Sequence, residues 1–203
     1  MSKKHTFLNI IPSGDTATIL LYGDVGDGEK VESSRVVSEL LAVSTTYQHI
    51  AVRINSRGGD VFEGMAIYNA LKQTEGDVTI YVDGLAASIA AVIALCGKPL
   101  YMSPYAKLML HNVSGGTYGN AEELRQVASQ METLQGNLAE MIAQRCGMTA
   151  DEVKARYMDG SDHWIDAEEA VEMGLADGLF DMEAAGTAPQ TTDEIYNYFN
   201  NRL

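Results

Sequence analysis

The feature that most constrains this chain is the passage from Val78-Thr79-Ile80-Tyr81-Val82, through Gly84-Leu85-Ala86-Ala87-Ser88, into the small apolar stretch 89–96. The first run is β-branched and aromatic and predicts a buried strand. The last holds no breaker and predicts a buried helix. Ser88 then stands at the first turn of that helix, near free backbone N–H groups and the positive end of the helix dipole. Such a position favours negative charge on a substrate oxygen. A serine that simply caps the helix is the plainer reading of the same residue.

The flanking chain repeats the alternation. Runs 7–11 and 19–22 flank Pro12-Ser13-Gly14-Asp15 and predict a hairpin. A helix is expected over 33–42, a strand over 50–54 and a second helix over 61–72. Strand and helix alternating in this way imply parallel pairing with right-handed crossovers, so the fold class is α/β. The glycine-rich Ser114-Gly115-Gly116-Thr117-Tyr118-Gly119 is followed by a long helical pattern over 121–145, opened by a capping box in Asn120 and Glu123. Leu124, Val127, Met131, Leu134, Leu138, Met141 and Ile142 recur at three- and four-residue steps along it. At about 37 Å this helix exceeds what a small domain covers, so part of its stripe is expected to meet another subunit. A capped helix opens at Thr149-Ala150-Asp151-Glu152, Asp166-Ala167-Glu168-Glu169 has the form of another capping box, and Gly174 closes the helix that follows. Residues 183–192 read as a linker, and 193–203, with Tyr196, Tyr198 and Phe199, as one weak helix.

With 203 residues, 46% of them hydrophobic and 21% charged, the chain can bury the core of one domain. A net charge of −14 argues against nucleic acid and against anionic membrane surfaces. No stretch matches a membrane span, and Met1-Ser2-Lys3-Lys4-His5 lacks the apolar core of a signal peptide, so a cytoplasmic protein is expected. The two cysteines, Cys96 and Cys146, lack metal-ligand spacing, and neither a disulfide, a metal nor a cofactor is expected.

Three further segments carry chemistry. Ile54-Asn55-Ser56-Arg57-Gly58-Gly59 ends an apolar strand with a glycine pair, which lets backbone N–H groups converge on an anion. Leu108-Met109-Leu110-His111 ends another strand with a histidine, and Asp159-Gly160-Ser161-Asp162 is an acidic turn before Trp164. The other histidines have plainer readings: His5 in a polar stretch, His49 before a strand, His163 in a turn. A serine, a histidine, an aspartate and a glycine-rich donor loop are the parts of a serine-hydrolase site.

These segments, with Gly64-Met65-Ala66-Ile67-Tyr68 and Ala167-Glu168-Glu169-Ala170-Val171-Glu172-Met173-Gly174-Leu175-Ala176-Asp177, occur in the order and near the spacing of one family. The chain resembles the ClpP family of serine peptidases over about 19–179, and more closely the ClpP-like proteases that phages and prophages use in head maturation. The resemblance implies a crotonase-like ββα spiral over 1–182, with a protruding handle helix within about 112–146, followed by a linker and tail over 183–203. It places the nucleophile at Ser88, the general base at His111 and the orienting acid at Asp162, with Asp159 the competing carboxylate. Backbone N–H groups of Gly59 and Ile89 would form the oxyanion hole, a feature whose donors are worth about 3 kcal/mol each in comparable enzymes. Val61, Val113 and Gly115 would contact the substrate, with Val61, Ile89 and Val113 forming an apolar pocket.

The implied partners are a polypeptide substrate and further copies of the chain, in rings of seven that stack as a tetradecamer. Four departures speak against a Clp ATPase partner. Residues 1–17 do not resemble the axial-loop segment, Arg57 replaces a proline, Ala51 and Arg53 replace docking aromatics, and Asn112-Val113 follow the histidine where the family has Gln-Pro. The expected function is thus ATP-independent processing of a capsid protein or scaffold. The alternatives are a housekeeping-type ClpP subunit, a crotonase-like acyl-CoA enzyme, a serine–lysine dyad using Lys98 or Lys107, and a non-catalytic shell.

Overall fold

A computed structural model of the chain describes residues 10–180. The expected linker and tail lie outside the described residues, as do residues 7–9 of the first strand. The hairpin forms from β1 (Ile10–Ser13) and β2 (Thr16–Tyr22), with Gly14 in the left-handed region at φ 61°. Three parallel crossovers follow: through α1 (Ser33–Ser44) to β3 (His49–Ser56), through α2 (Val61–Gln73) to β4 (Asp77–Ala87), and through α3 (Ile89–Ala94) to β5 (Leu100–Met102). Then come β6 (Lys107–Leu110), α4 (Ala121–Cys146), α5 (Ala150–Tyr157), β7 (His163–Asp166), α6 (Ala167–Glu172) and β8 (Gly178–Leu179). The main sheet runs β1-β2-β3-β4-β5-β8. The α/β class and the long helix are as the sequence led one to expect.

The strand before Ser88 is longer than its β-branched run. β4 continues through Gly84-Leu85-Ala86-Ala87 to the residue before the serine, and its two halves have different neighbours. Ile80–Val82 pair with β5, whereas Leu85–Ala87 pair with β6. The change coincides with a register shift against β3, from Ile54 opposite Val82 to Ser56 opposite Ala86. Gly84 sits inside this irregularity, where a Cβ would lie 3.1 Å from the Asn55 side-chain oxygen. β6 in turn pairs antiparallel with β7, which lines up Lys107 with Asp166 and Leu110 with His163.

This arrangement corrects one sequence expectation. Asp166 precedes α6 but makes no capping hydrogen bond. Its carboxylate pairs instead with Lys107, its opposite neighbour in the β6–β7 ladder. The other two capping boxes form, at Asn120 with Glu123 and at Thr149 with Glu152.

All six residues of α3 are buried, and the helix packs on α2 and on strands β3, β4 and β6. α4 is about 39 Å long. Its C-terminal half buries Leu138, Ala139, Ile142 and Ala143, while the side chains of its first ten residues are exposed except Val127, which is half-buried. Arg145 anchors its base, donating to the Leu175 carbonyl at 2.9 Å and to Asp177 at 2.6 Å. Burial opposes ionisation of Asp177, but the Leu100 N–H and the Arg145 guanidinium outweigh it and hold its carboxyl below the usual range. Among the described residues no helix is long and apolar enough to cross a membrane.

On the far side of the sheet a polar cluster covers aromatic rings. Arg53 forms a two-pronged pair with Asp83, which also accepts from the Tyr22 hydroxyl at 2.5 Å. The guanidinium lies 5.7 Å from the Tyr81 ring centre and 5.1 Å from that of Phe180. Burial first, and then Asp83, pushes the Tyr22 hydroxyl up to about 12.

Gly64 packs α2 tightly on the start of α3. A Cβ there would fall 2.1 Å from Ile89 Cγ1. Alanine is the better helix former by about 1 kcal/mol, so Gly64→Ala would stabilise α2 if space allowed. Overpacking instead costs about 1–3 kcal/mol, and we expect G64A to lower the midpoint of thermal unfolding by roughly 2–12 °C, read by circular dichroism. An unchanged or raised midpoint would show that the α2–α3 contact relaxes freely.

Candidate active site

The junction identified in the sequence is a sharp turn rather than a plain helix cap. Ser88 has φ 56° and ψ −127°, and it is the only non-glycine residue with positive φ among the described residues. Its side chain caps nothing. A non-glycine residue held in a sparsely populated region costs about 1–3 kcal/mol and persists only where its surroundings over-determine it. Here the surroundings are visible. The Ser88 N–H donates to the Met109 carbonyl at 2.8 Å, and the Ser88 carbonyl accepts from Ala91 N–H at 3.0 Å. The serine is thereby pinned between the end of β6 and the start of α3, with Oγ turned away from the helix.

The glycine pair packs directly on this turn. At Gly58, with φ 91°, a Cβ would lie 2.6 Å from the Ala87 carbonyl oxygen and 2.9 Å from Ser88 Cβ. At Gly59 it would meet the Val25 carbonyl at 2.1 Å. The loop is strapped from below: Gly58 N–H donates to the buried Ser56 hydroxyl at 3.1 Å, Val25 N–H donates to the Gly58 carbonyl at 2.9 Å, and Asp60 N–H donates to the Val25 carbonyl at 2.8 Å. Gly59 and Ile89 line the same cleft as Ser88. Ile89 opens α3, and an amide of the first helical turn has no partner within its own helix.

His111 follows β6 by one residue, and its Nε2 lies 2.7 Å from Ser88 Oγ. On the opposite side of the ring, Nδ1 lies 3.4 Å from Asp162 Oδ1. The histidine side chain is 25% exposed and that of Asp162 57%, so the carboxylate is reached from the solvent side. Asp159 is engaged elsewhere. It pairs with His163 Nε2 at 2.8 Å and accepts from Ser161 N–H at 3.0 Å, two contacts that hold its carboxyl below the usual range. The two lysines are also committed away from the serine: Lys98 Nζ donates to the Thr74 carbonyl at 2.5 Å, and Lys107 pairs with Asp166.

A small cavity of about 40 Å³ adjoins Ser88 and His111, walled by Val61, Val92, Val113, Leu138, Ile142 and Met158. Of the residues expected to contact substrate, Val61 and Val113 line this cavity, whereas Gly115 is exposed and outside the lining, which includes Ser114.

Several supporting residues were not singled out from the sequence for this part. Ser56 and Val25 hold the glycine loop, and Val25 carried no sequence signal beyond being apolar. Asn112 was noted only as a departure from the resembled family. Its side chain donates to Gln135 Oε1 and to the Met158 carbonyl, both at 2.9 Å, and accepts from Gly160 N–H at 2.6 Å.

The same region of the chain is shared with known proteins. Residues 13–183 match the family model described as Clp protease. The chain is 34% identical over 166 residues to the ATP-dependent Clp protease proteolytic subunit 2 of Corynebacterium efficiens, covering 81% of this chain and 82% of that protein. It is 34% identical over 181 residues to proteolytic subunit 3 of Rhodococcus jostii, covering 86% of each chain. Proteolytic subunit 1 of Leifsonia xyli subsp. xyli is similarly 34% identical, over 158 residues. On this breadth of match, joined to the fold around the Ser88 turn, the chain belongs to the Clp protease family.

Proposed function

We propose that this chain is a serine endopeptidase in which Ser88 is the nucleophile, His111 the general base and acid, and Asp162 the carboxylate that orients the imidazole. The observation that carries the reading is the 2.7 Å contact of Ser88 Oγ with His111 Nε2, with Asp162 on the ring's other nitrogen. With Nδ1 protonated toward Asp162, Nε2 accepts the Ser88 proton as Oγ bonds to a peptide carbonyl carbon. Negative charge gathers on the former carbonyl oxygen, beside the N–H groups of Gly59 and Ile89. The C–N bond then breaks, and the imidazolium returns its proton to the departing amine. Water, deprotonated by His111, attacks the resulting ester and frees Ser88 and a carboxylic acid. Asp162 stays ionised throughout and stabilises the charged ring. The valine, leucine and isoleucine side chains on one wall of the otherwise mixed cavity suit a small apolar side chain beside the scissile bond.

The rival chemistries are less well supported. A serine–lysine dyad needs a free lysine near Ser88, and Lys98 and Lys107 hold other partners. A crotonase-like acyl-CoA enzyme uses only the paired N–H groups, and a shell protein uses none of the site. Neither has need of a strained serine aligned on a histidine.

For the partners, our reading is an ATP-independent enzyme in stacked rings of seven, acting in a bacterial cytoplasm on flexible segments such as a capsid scaffold or propeptide. Two observations support it. Arg53 and Asp83 lay an ion pair over Tyr81 and Phe180, where docking aromatics were expected to be replaced. The exposed first half of α4 also leaves Leu124 46% accessible, a face suited to another copy of the chain. The relatives' names, as ATP-dependent proteolytic subunits, favour the housekeeping alternative, in which an ATPase feeds the same chamber.

Intact mass after fluorophosphonate treatment tests the chemistry. One adduct is expected on wild type and none on Ser88→Ala, with labelling slowed at least 100-fold in His111→Ala. Asp162→Ala should slow it far more than Asp159→Ala; the reverse order would move the orienting role to Asp159. Casein should be cleaved with neither ATP nor a Clp ATPase added, and a strict requirement for both would establish the housekeeping alternative. Sedimentation at micromolar concentration should give a ring-sized species, and a monomer would refute the assembly.

A further inference from the structure

Asp162 poses a positioning problem. Its side chain is more than half exposed and lies 3.4 Å from His111, at the tip of a turn containing Gly160 at φ 99°. A solvated carboxylate on a glycine turn is not held by packing, so something else must fix the turn relative to the histidine. The neighbouring contacts offer one bridge. Asn112 follows His111 directly, and its side-chain oxygen accepts from Gly160 N–H, two residues before Asp162. Both protons of its amide nitrogen are also used, one on the Met158 carbonyl at the end of α5 and one on Gln135 Oε1 in α4. An amide offers two donors and an acceptor in one plane, so these three contacts constrain the side chain tightly. Met158 further walls the cavity beside Ser88.

We infer that Asn112 is a positioning residue that holds the 158–162 turn, and with it Asp162, in register with His111, and that Gln135 ties this register to α4. The inference rests on the peptidase reading above. Asn112 touches neither the reacting atoms nor the carboxylate; it acts through the turn. Displacing a catalytic group by about 1 Å costs up to roughly 100-fold in rate.

A double-mutant cycle on the fluorophosphonate labelling rate of the full chain tests this, with Ser88→Ala as the blank. Asn112→Ala should slow labelling 10- to 100-fold in the wild-type background. Added to Asp162→Ala it should slow labelling less than 3-fold, because the carboxylate it places is already gone. A general structural loss would instead multiply with Asp162→Ala, and equal slowing in both backgrounds overturns the inference, as does labelling of Asn112→Ala at the wild-type rate. Should Asn112→Ala fail to fold, Gln135→Met carries the test: it keeps the approximate volume and removes the side-chain amide, and with it the acceptor that Asn112 uses. A several-fold slowing that vanishes beside Asp162→Ala supports the inference, and an unchanged rate overturns it. Absence of labelling in folded wild type would overturn the peptidase reading and this inference together, whereas labelled wild type with an indifferent Asn112 would overturn this inference alone.

Discussion

The hydrogen bond from Ser88 N–H to the Met109 carbonyl joins the end of β4 to the strand that delivers His111. β4 reaches that point only because its two halves serve different neighbours, β5 first and β6 afterwards. Had β4 stayed on β5, the chain after it would have entered α3 with no adjacent strand to present a histidine. The register shift near Ser56 and the bare Cα of Gly84 make the change of partner sterically possible. The strained turn at Ser88 follows, since the backbone must leave a strand, keep its last ladder bond and start a helix within one residue. The stabilisation that offsets this strain comes from α3, whose six residues are all buried.

Around that turn the groups arrive from separate parts of the chain and are held largely by hydrogen bonds of backbone and of uncharged side chains. The glycine loop is fixed by Val25 and the Ser56 hydroxyl, the histidine by β6, and the acidic turn by contacts that include Asn112. Surface ion pairs contribute little to such a framework. Backbone hydrogen bonds and close glycine contacts tolerate little displacement, which suits a site whose proposed chemistry depends on contacts of about 3 Å. The exposed carboxylate is the least buried member, and so the one most dependent on its turn.

The relation to the family spans most of the chain. About a third of residues are identical to the named relatives over most of both chains. The Arg53–Asp83 pair beside Tyr81 and Phe180 is mostly buried and the first half of α4 is exposed, and neither contacts the turn at Ser88. This separation is why the proposed chemistry and the proposed partners stand on different observations.

Much of the fold was legible in local signals. β-branched runs gave β3 and β4, capping boxes gave the starts of α4 and α5, and apolar periodicity gave the length of α4, because each depends on residues close in sequence. The sequence also brought forward Ser88, His111, the acidic turn and the glycine pair as a set, with Asp162 put ahead of Asp159 by the family resemblance. It could not determine that β4 changes partner beyond Val82, that Asp166 pairs with Lys107 instead of capping α6, or that Asp159 turns to His163 while Asp162 faces His111. Nor could it assign Asn112 three partners from α4, α5 and the acidic turn. Those outcomes depend on which polar groups become neighbours once distant segments are paired, and a short polar side chain takes its partners from tertiary geometry rather than from residues next to it in the chain.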